Sequence, residues 1–255
     1  MAKEMIDVIS ELAEKFIQAK HYSQGRNGMK ICKITPHIMA SKWTGTRCAE
    51  FFAEGTRQAS ANYCIGKDGD IVCSVKEEDR AWTSTNGNND RQAITIECAN
   101  DVLGGEWHIS DATWNSLVNL CVDVCRRYNF KLVYDGTSNG SLTRHNMFAN
   151  TNCPGPYLQS RLEELAEIVN RRLEKEKMIK KLCDKYGEEN VDKALSYFIE
   201  AFINADETSE WAKEELKEAV ELKITDGTKP KLPATREQTA IMITRAVKML
   251  KQKNS

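Results

Sequence analysis

The chain has no apolar run approaching the ~20 residues that a membrane-spanning helix needs. It has no excess of either charge: 36 Lys and Arg stand against 37 Asp and Glu, for a net charge of −1. That balance excludes a nucleic-acid or polyanion binder working by bulk electrostatics. Proline is scarce, with five residues, and histidine scarcer, with four. The opening segment, MAKEMIDVISELAEKFIQAK, is charged throughout and has no apolar centre of the signal-peptide kind. The expectation is a protein made, and left, in a cytoplasm. There is no low-complexity tract, and the 41% apolar content excludes wholesale disorder.

What is there begins with length and cysteine. A chain of 255 residues fits one large domain or two smaller ones and can bury a core without disulfides. Nine cysteines is an odd number, and several sit in apolar stretches, such as Cys64, Cys73, Cys121 and Cys125. Free cysteine commonly behaves as a small buried hydrophobe, so most of these read as core filler in a reducing compartment.

Composition shifts near residue 175. Before it, about a quarter of the residues are charged; after it, well over a third are, and all four histidines and eight cysteines precede the shift. The bridge, Arg171–Lys180, is a charged helical run, so the two parts can share a continuous helix. In the first part, Met5, Val8, Ile9, Leu12 and Phe16 predict an amphipathic N-terminal helix. Met29–Thr35 alternates as a strand, Thr44–Ala53 reads as a short helix, and Asn62–Lys76 as a hairpin turning at Asp68-Gly69. Ala93–Cys98 reads as a buried strand, and Ser110 caps a helix carrying Leu117, Cys121, Val124 and Cys125. Lys131–Tyr134 is a short strand candidate and Pro156–Leu173 a final helix. This order predicts an α/β (α+β mixed) fold, a central mixed β-sheet flanked by helices, over residues 1–175. Residues 176–255 predict a small all-α domain. Its helices are marked by Met178, Leu182 and Tyr186, by Leu195, Phe198 and Phe202, and by Ala212, Leu216 and Val220. A turn at Asp226-Gly227 and a capping box at Thr235–Gln238 open the last helix.

Two histidines sit where strands or turns end. His37 follows MKICKIT, and His145 lies eight residues before Cys153. Two imidazoles and a thiolate can form three corners of a tetrahedral zinc site with the fourth open, the arrangement of a catalytic metal. Cys153 precedes Pro154-Gly155-Pro156, which starts a helix, and a helix N-terminus favours thiolate over thiol. By spacing alone the bland reading, structural histidines and a core cysteine, remains the more common one.

The surrounding words sharpen the choice. KITPHIMAS, SANYCIGKDGDIV, DRAWTS, ITIE and HNMFANTNCPGPYL occur in this order. Together they resemble the zinc-dependent N-acetylmuramoyl-L-alanine amidases of the type 2 family, relatives of the peptidoglycan-recognition proteins, over roughly residues 20–175. The nearest look-alikes are endolysins and autolysins of Gram-positive, spore-forming anaerobes. The resemblance implies one zinc ion held by His37, His145 and Cys153, with Glu97 as general base. Zinc polarises the scissile carbonyl and acidifies a water, and a carboxylate relays the water's proton to the leaving amine. Many members carry a lysine where Thr151 stands; a hydroxyl there is a weaker oxyanion donor than a cation. Trp82, Thr83, Asn86 and Asn89 align with a groove wall that contacts glycan and stem peptide. For Trp82 the alternative, a plain core residue, stays open. His21 and His108 match nothing and read as surface or capping residues.

WAKEELKEAVELKITDG followed by LPATREQTAIMITRAVKML resembles one repeat of a surface-layer-homology module. Such a module implies a secondary wall polymer as partner. The other reading is a helical bundle that self-associates. The expected enzyme thus acts on peptidoglycan, not on nucleic acid or a membrane. It would stay in the host bacterial cytoplasm until released to the wall, as a phage or prophage endolysin or, alternatively, a bacterial autolysin. A non-catalytic peptidoglycan-binding module of the same fold, and a cytosolic protein with a structural His/Cys site, are the competing readings.

Overall fold

The computed structural model describes residues 9–203, 213–225 and 241–245. The chain divides into two compact units, Met1–Glu176 and Lys177–Ser255.

In the first unit five strands form one mixed sheet. They are β1 (Lys15–Phe16), β3 (Lys33–Ile38), β4 (Tyr63–Ile65), β5 (Ile71–Cys73) and β7 (Ala93–Cys98), in the order β1-β5-β4-β7-β3. β4 and β5 pair antiparallel, and the other neighbours are parallel. A separate ribbon joins β2 (Tyr22–Ser23) to β6 (Arg80–Ala81). The hairpin turn between β4 and β5 places Gly69 at φ +91°, a conformation that side chains with a Cβ resist.

The helices follow from their caps and apolar stripes. α1 (Gly45–Glu54) starts where Thr44 Oγ1 accepts the Arg47 N–H, and it ends at Gly55 with φ 69°. A single turn, α2 (Gly87–Gln92), feeds directly into β7. α3 (Asp111–Arg127) starts where Ser110 Oγ accepts the Thr113 N–H, and it ends on Arg126 and Arg127, cations suited to a helix C-terminus. α4 (Gly155–Ser160) and α5 (Leu162–Tyr186) follow.

Two apolar layers result. On one face, Ile34, Tyr63, Ile65, Ile94 and Ile96 meet Leu117, Cys121, Leu158, Leu165 and Val169 of α3, α4 and α5. On the other, Cys64 and Val72 meet Cys48, Ala49 and Phe52 of α1. Because strand side chains alternate, His37, Glu97 and Cys64, neighbours in register, share the α1 side of the sheet. The site therefore sits on the thinner-covered face.

Three expected elements differ. The amphipathic N-terminal helix is not formed among the described residues. The chain turns after Ser10 and lays β1 along the open edge of β5, with Glu14 N–H donating to Ile71 O and Ile17 N–H to Cys73 O. Leu12 and Phe16 are consequently exposed, and unpaired sheet-edge groups won over helical periodicity. Lys131–Tyr134 forms no strand. The Asn170 amide caps both backbone groups of Leu132, and Ser141 Oγ accepts the Val133 N–H. The helix expected over Pro156–Leu173 is two helices meeting at Arg161, and the second continues to Tyr186.

In the second unit α6 (Glu188–Ile203) and α7 (Lys213–Glu221) are helical, as are residues 241–245. Ala212, the Asp226-Gly227 turn and the Thr235–Gln238 capping box lie outside the described residues. No described helix is long and apolar enough to cross a membrane.

Candidate active site

The register of β3 on β7 sets His37 opposite Glu97. Beyond β3, the segment 141–143 lies along the sheet edge through Ile34 N–H to Ser141 O and Thr143 N–H to Ile34 O. This delivers His145, first residue of a 3-10 turn (His145–Met147), to the same end of the strand. The Asn146 N–H then donates to Cys153 O, folding the cysteine loop back onto it.

The three side chains converge. His37 Nδ1 lies 3.4 Å from Cys153 Sγ, the two imidazole centroids are 4.8 Å apart, and the ligand atoms of all three lie within 4.8 Å of one another. Tetrahedral zinc, with bonds of about 2.0–2.3 Å, spaces its ligand atoms roughly 3.5 Å apart. The His37–Cys153 pair already has that spacing. Two buried atoms here meet no protein partner, His145 Nε2 and Glu97 Oε2. Orphaned buried polar atoms are costly unless something outside the protein completes them.

Burial keeps the donors of the site uncharged. Burial, and then the facing His145, hold His37 well below the usual imidazole range. Burial and the Arg57 charge lower His145 as well. Both rings are thus neutral, with lone pairs to give. Burial pushes the Glu97 carboxyl up to about 8, against the opposing pull of Arg57. Burial and the Glu97 carboxylate push the Cys153 thiol up too. The short helix after Cys153 was expected to favour its thiolate; in this setting desolvation outweighs the helix end. Metal binding is the event that deprotonates such a ligand.

The triad opens into a groove of about 300 Å³ whose walls include Trp43, Phe51, Arg57, Trp82, Trp107 and Thr151. Thr151 Oγ1 accepts the Cys153 N–H, which leaves its own proton to donate into the groove. Trp82 is half-buried, its Nε1 donating to Ser23 Oγ and its ring stacked on His21, so it is both wall and support. Thr83 also lines the groove, though its hydroxyl is spent on the fold. Thr83 Oγ1 lies 2.6 Å from Ser60 O and 2.8 Å from Thr95 Oγ1. Asn86 caps α2 through the Asn88 and Asn89 N–H groups, and Asn89 is buried among hydroxyls. Neither asparagine lines the groove. Exposed amides in a polar loop look alike in sequence, whether or not a short helix draws them inward. His21 Nε2 lies 3.1 Å from Gly55 O, and His108 Nδ1 lies 2.6 Å from Asp101 Oδ1, both away from the triad. Arg57 and Trp107 carried no sequence signal; loops far apart in the chain bring them to the rim.

Neutral imidazoles, a thiol and a half-buried carboxylate at the floor of an open groove are a donor set suited to metal-assisted hydrolysis. The chain belongs to the N-acetylmuramoyl-L-alanine amidase family, which its residues 27–156, just over half its length, match. It is thus a peptidoglycan amidase. Among solved structures it is similar to PlyL, with 16% identity and a TM-score of 0.48, over 62% of this chain and 96% of that one. It is similar to a selenomethionine derivative of AmpD, with 20% identity and a TM-score of 0.48, over 63% and 97%. A third is the amidase LysC from Clostridium intestinale URNW, with 17% identity and a TM-score of 0.43, over 59% and 97%. No curated protein sequence matched the chain.

Proposed function

We propose that this amidase is zinc-dependent, that His37, His145 and Cys153 hold the ion, and that Glu97 is its general base. The observation that carries the reading is the pair of partnerless atoms, Glu97 Oε2 and His145 Nε2, beside a His–Cys pair at ligand spacing. The chemistry that zinc supplies when bound is Lewis acidity toward the carbonyl and a more acidic water. Everything else falls to the chain. Glu97, kept from full hydration, takes a proton from the attacking water and returns it to the L-alanine nitrogen as that amide bond breaks. Thr151 donates its hydroxyl proton toward the carbonyl oxygen as negative charge builds there. Trp82 and Trp107 offer flat faces on which the glycan or stem peptide lies.

The test is lysis of purified Gram-positive walls, following release of the L-alanine amino group. Activity that disappears on chelation, returns with zinc and is lost in Cys153→Ala supports the reading. Full activity of Cys153→Ala with zinc chelated would sink it. Muropeptide binding without turnover in the zinc-loaded protein would mean a binding module instead.

The same proposal extends to biology and architecture. The motif resemblance to endolysins supports a lytic enzyme that waits in the host cytoplasm and reaches the wall on release. Lysis that requires a co-expressed membrane-permeabilising protein supports this, whereas lysis from outside by cells secreting the protein unaided points to an autolysin. We assign residues 1–175 to catalysis and 176–255 to wall targeting, on the surface-layer-homology-like words. Co-sedimentation of residues 176–255 with walls, lost once secondary polymers are stripped, supports targeting; self-association without wall binding supports the helical-bundle alternative.

A further inference from the structure

A buried ring of polar side chains lies behind the two histidines and is used by nothing described so far. The Asn89 Nδ2 group donates to Thr35 Oγ1 at 3.0 Å and to Ser84 Oγ at 3.2 Å. Thr143 Oγ1 donates to Asn89 Oδ1 at 3.1 Å, and the Thr35 and Thr143 hydroxyls are 2.8 Å apart. One proton arrangement satisfies every bond: Thr35 donates to Thr143, Thr143 to the Asn89 carbonyl, and the Asn89 amide to Thr35 and Ser84. All four residues are buried, with Asn89 5% exposed and the three hydroxyl residues 0%.

The ring's position gives it meaning. Thr35 stands two residues before His37 on β3, and Thr143 two residues before His145. Ser84 Oγ lies 3.5 Å from His37 Nε2, the ring nitrogen that does not face Cys153. The Ser84 backbone is itself pinned, because the Asp90 carboxylate accepts the N–H groups of Thr83 and Ser84. A partner on the second nitrogen fixes which nitrogen of a ligating histidine carries the proton and how the ring is turned.

We propose that Asn89 is a positioning residue for the metal site, one buried amide that holds the segments of both histidines in register and, through Ser84, orients the His37 ring. This rests on the zinc reading above. It differs from an ordinary buried amide such as Asn62, which bonds Thr95 and the carbonyls of Val75 and Lys76 and borders neither histidine.

The experiment measures Zn²⁺ affinity of the full chain by competition with a chelator, and the visible spectrum of the Co²⁺-loaded protein. The variants are Asn89→Ala, Ser84→Ala and, as control, Asn62→Ala. Asn89→Ala is expected to weaken Zn²⁺ binding about 10–100-fold, the usual cost of losing an outer-shell partner, and to alter the cobalt bands. Ser84→Ala, which loses the hydroxyl at His37 and one of the two acceptors of the Asn89 amide, gives a smaller loss in the same direction. Asn62→Ala lowers the unfolding temperature and leaves both metal readouts at wild-type values. Wild-type affinity and spectrum in Asn89→Ala, or an equal loss in Asn62→Ala, overturns the proposal. If Asn89→Ala does not fold, Ser84→Ala decides, and an unchanged spectrum and affinity there overturns it. A wild-type chain that binds no Zn²⁺ yet hydrolyses walls overturns the zinc reading, and the positioning role with it.

Discussion

Two glutamates sit in the same unit, Glu77 fully buried and Glu97 half-buried, and their surroundings differ in kind. Glu77, 0% exposed, has both oxygens filled. Arg127 grips it bidentately at 2.6 and 2.7 Å, and the hydroxyls of Tyr63 and Tyr128 donate to its two oxygens. Burial next to that carboxylate pushes both phenols up, so they remain donors at any physiological pH. Glu97, in contrast, has a buried oxygen with no partner and a carboxyl pushed up to about 8. A carboxylate whose bonds are complete holds the fold together. One whose bonds are incomplete, at the floor of a groove, is kept ready for something that arrives.

The sharpest way to break this contrast is to neutralise each acid in turn. Glu97→Gln is expected to lower the rate of wall hydrolysis about 10²–10⁴-fold, the range of a lost general base. Its unfolding temperature should not fall, because no protein bond is lost. Unimpaired turnover by Glu97→Gln would reduce Glu97 to a bystander. Glu77→Ala should do the reverse, costing about 3–5 kcal/mol of stability by removing the buried carboxylate that Arg127, Tyr63 and Tyr128 share, with Arg127 keeping Asp123. Chemical denaturation reads that loss, and activity per folded molecule should stay near wild type. Tyr128→Phe removes one donor to the same carboxylate and should cost about 1.5–3 kcal/mol, the range for a hydrogen bond to a charged group.

The two acids also predict a pH dependence. Folding raises the Glu97 carboxyl from its ordinary 4.5 to about 8, so the folded state prefers the protonated form. That contribution is fully present below about 4.5 and is lost as the pH climbs toward 8. Denaturation of the metal-free protein at a series of pH values should therefore show wild type losing stability relative to Glu97→Gln across this window, the lowered histidines contributing their opposite trend to both proteins alike. An identical slope in wild type and variant would show that Glu97 makes no such contribution. The smallest effect is at Arg57, whose charge pulls Glu97 back toward ionisation. Arg57→Ala should move the Glu97 midpoint, followed by carbon NMR, upward by a fraction of a pH unit, because an exposed cation is well screened. A downward shift would show that the two charges do not face each other.

Much of this was readable along the chain, for reasons that differ from residue to residue. β7 carries its expected bounds because AITIEC is an uninterrupted buried run, and α1 and α3 announce themselves through Thr44 and Ser110. β3 begins later than expected, at Lys33, and runs on through His37 to Ile38. β1 was misread because its partner is β5, more than fifty residues on, and periodicity holds no record of a distant sheet edge. Within the site, His37, His145, Cys153 and Glu97 belong to recognisable words. Asn89 reads in NGNND as a residue of the groove wall, and only the folded chain shows the buried hydroxyls it meets instead.

The sequence by itself determined the family, the alternation of strands and capped helices, and the residue types able to hold a metal. Those properties are local, set by periodicity, cap chemistry and short motifs. The tertiary structure alone decided which polar groups were completed and which were left open. Glu77 and Glu97 are the same side chain, and nothing in their neighbours along the chain says that one will meet an arginine fifty residues away while the other keeps an empty lone pair. Hydrogen-bond satisfaction is a property of three-dimensional neighbours, and here it separates the carboxylate that supports the fold from the one that faces the open groove.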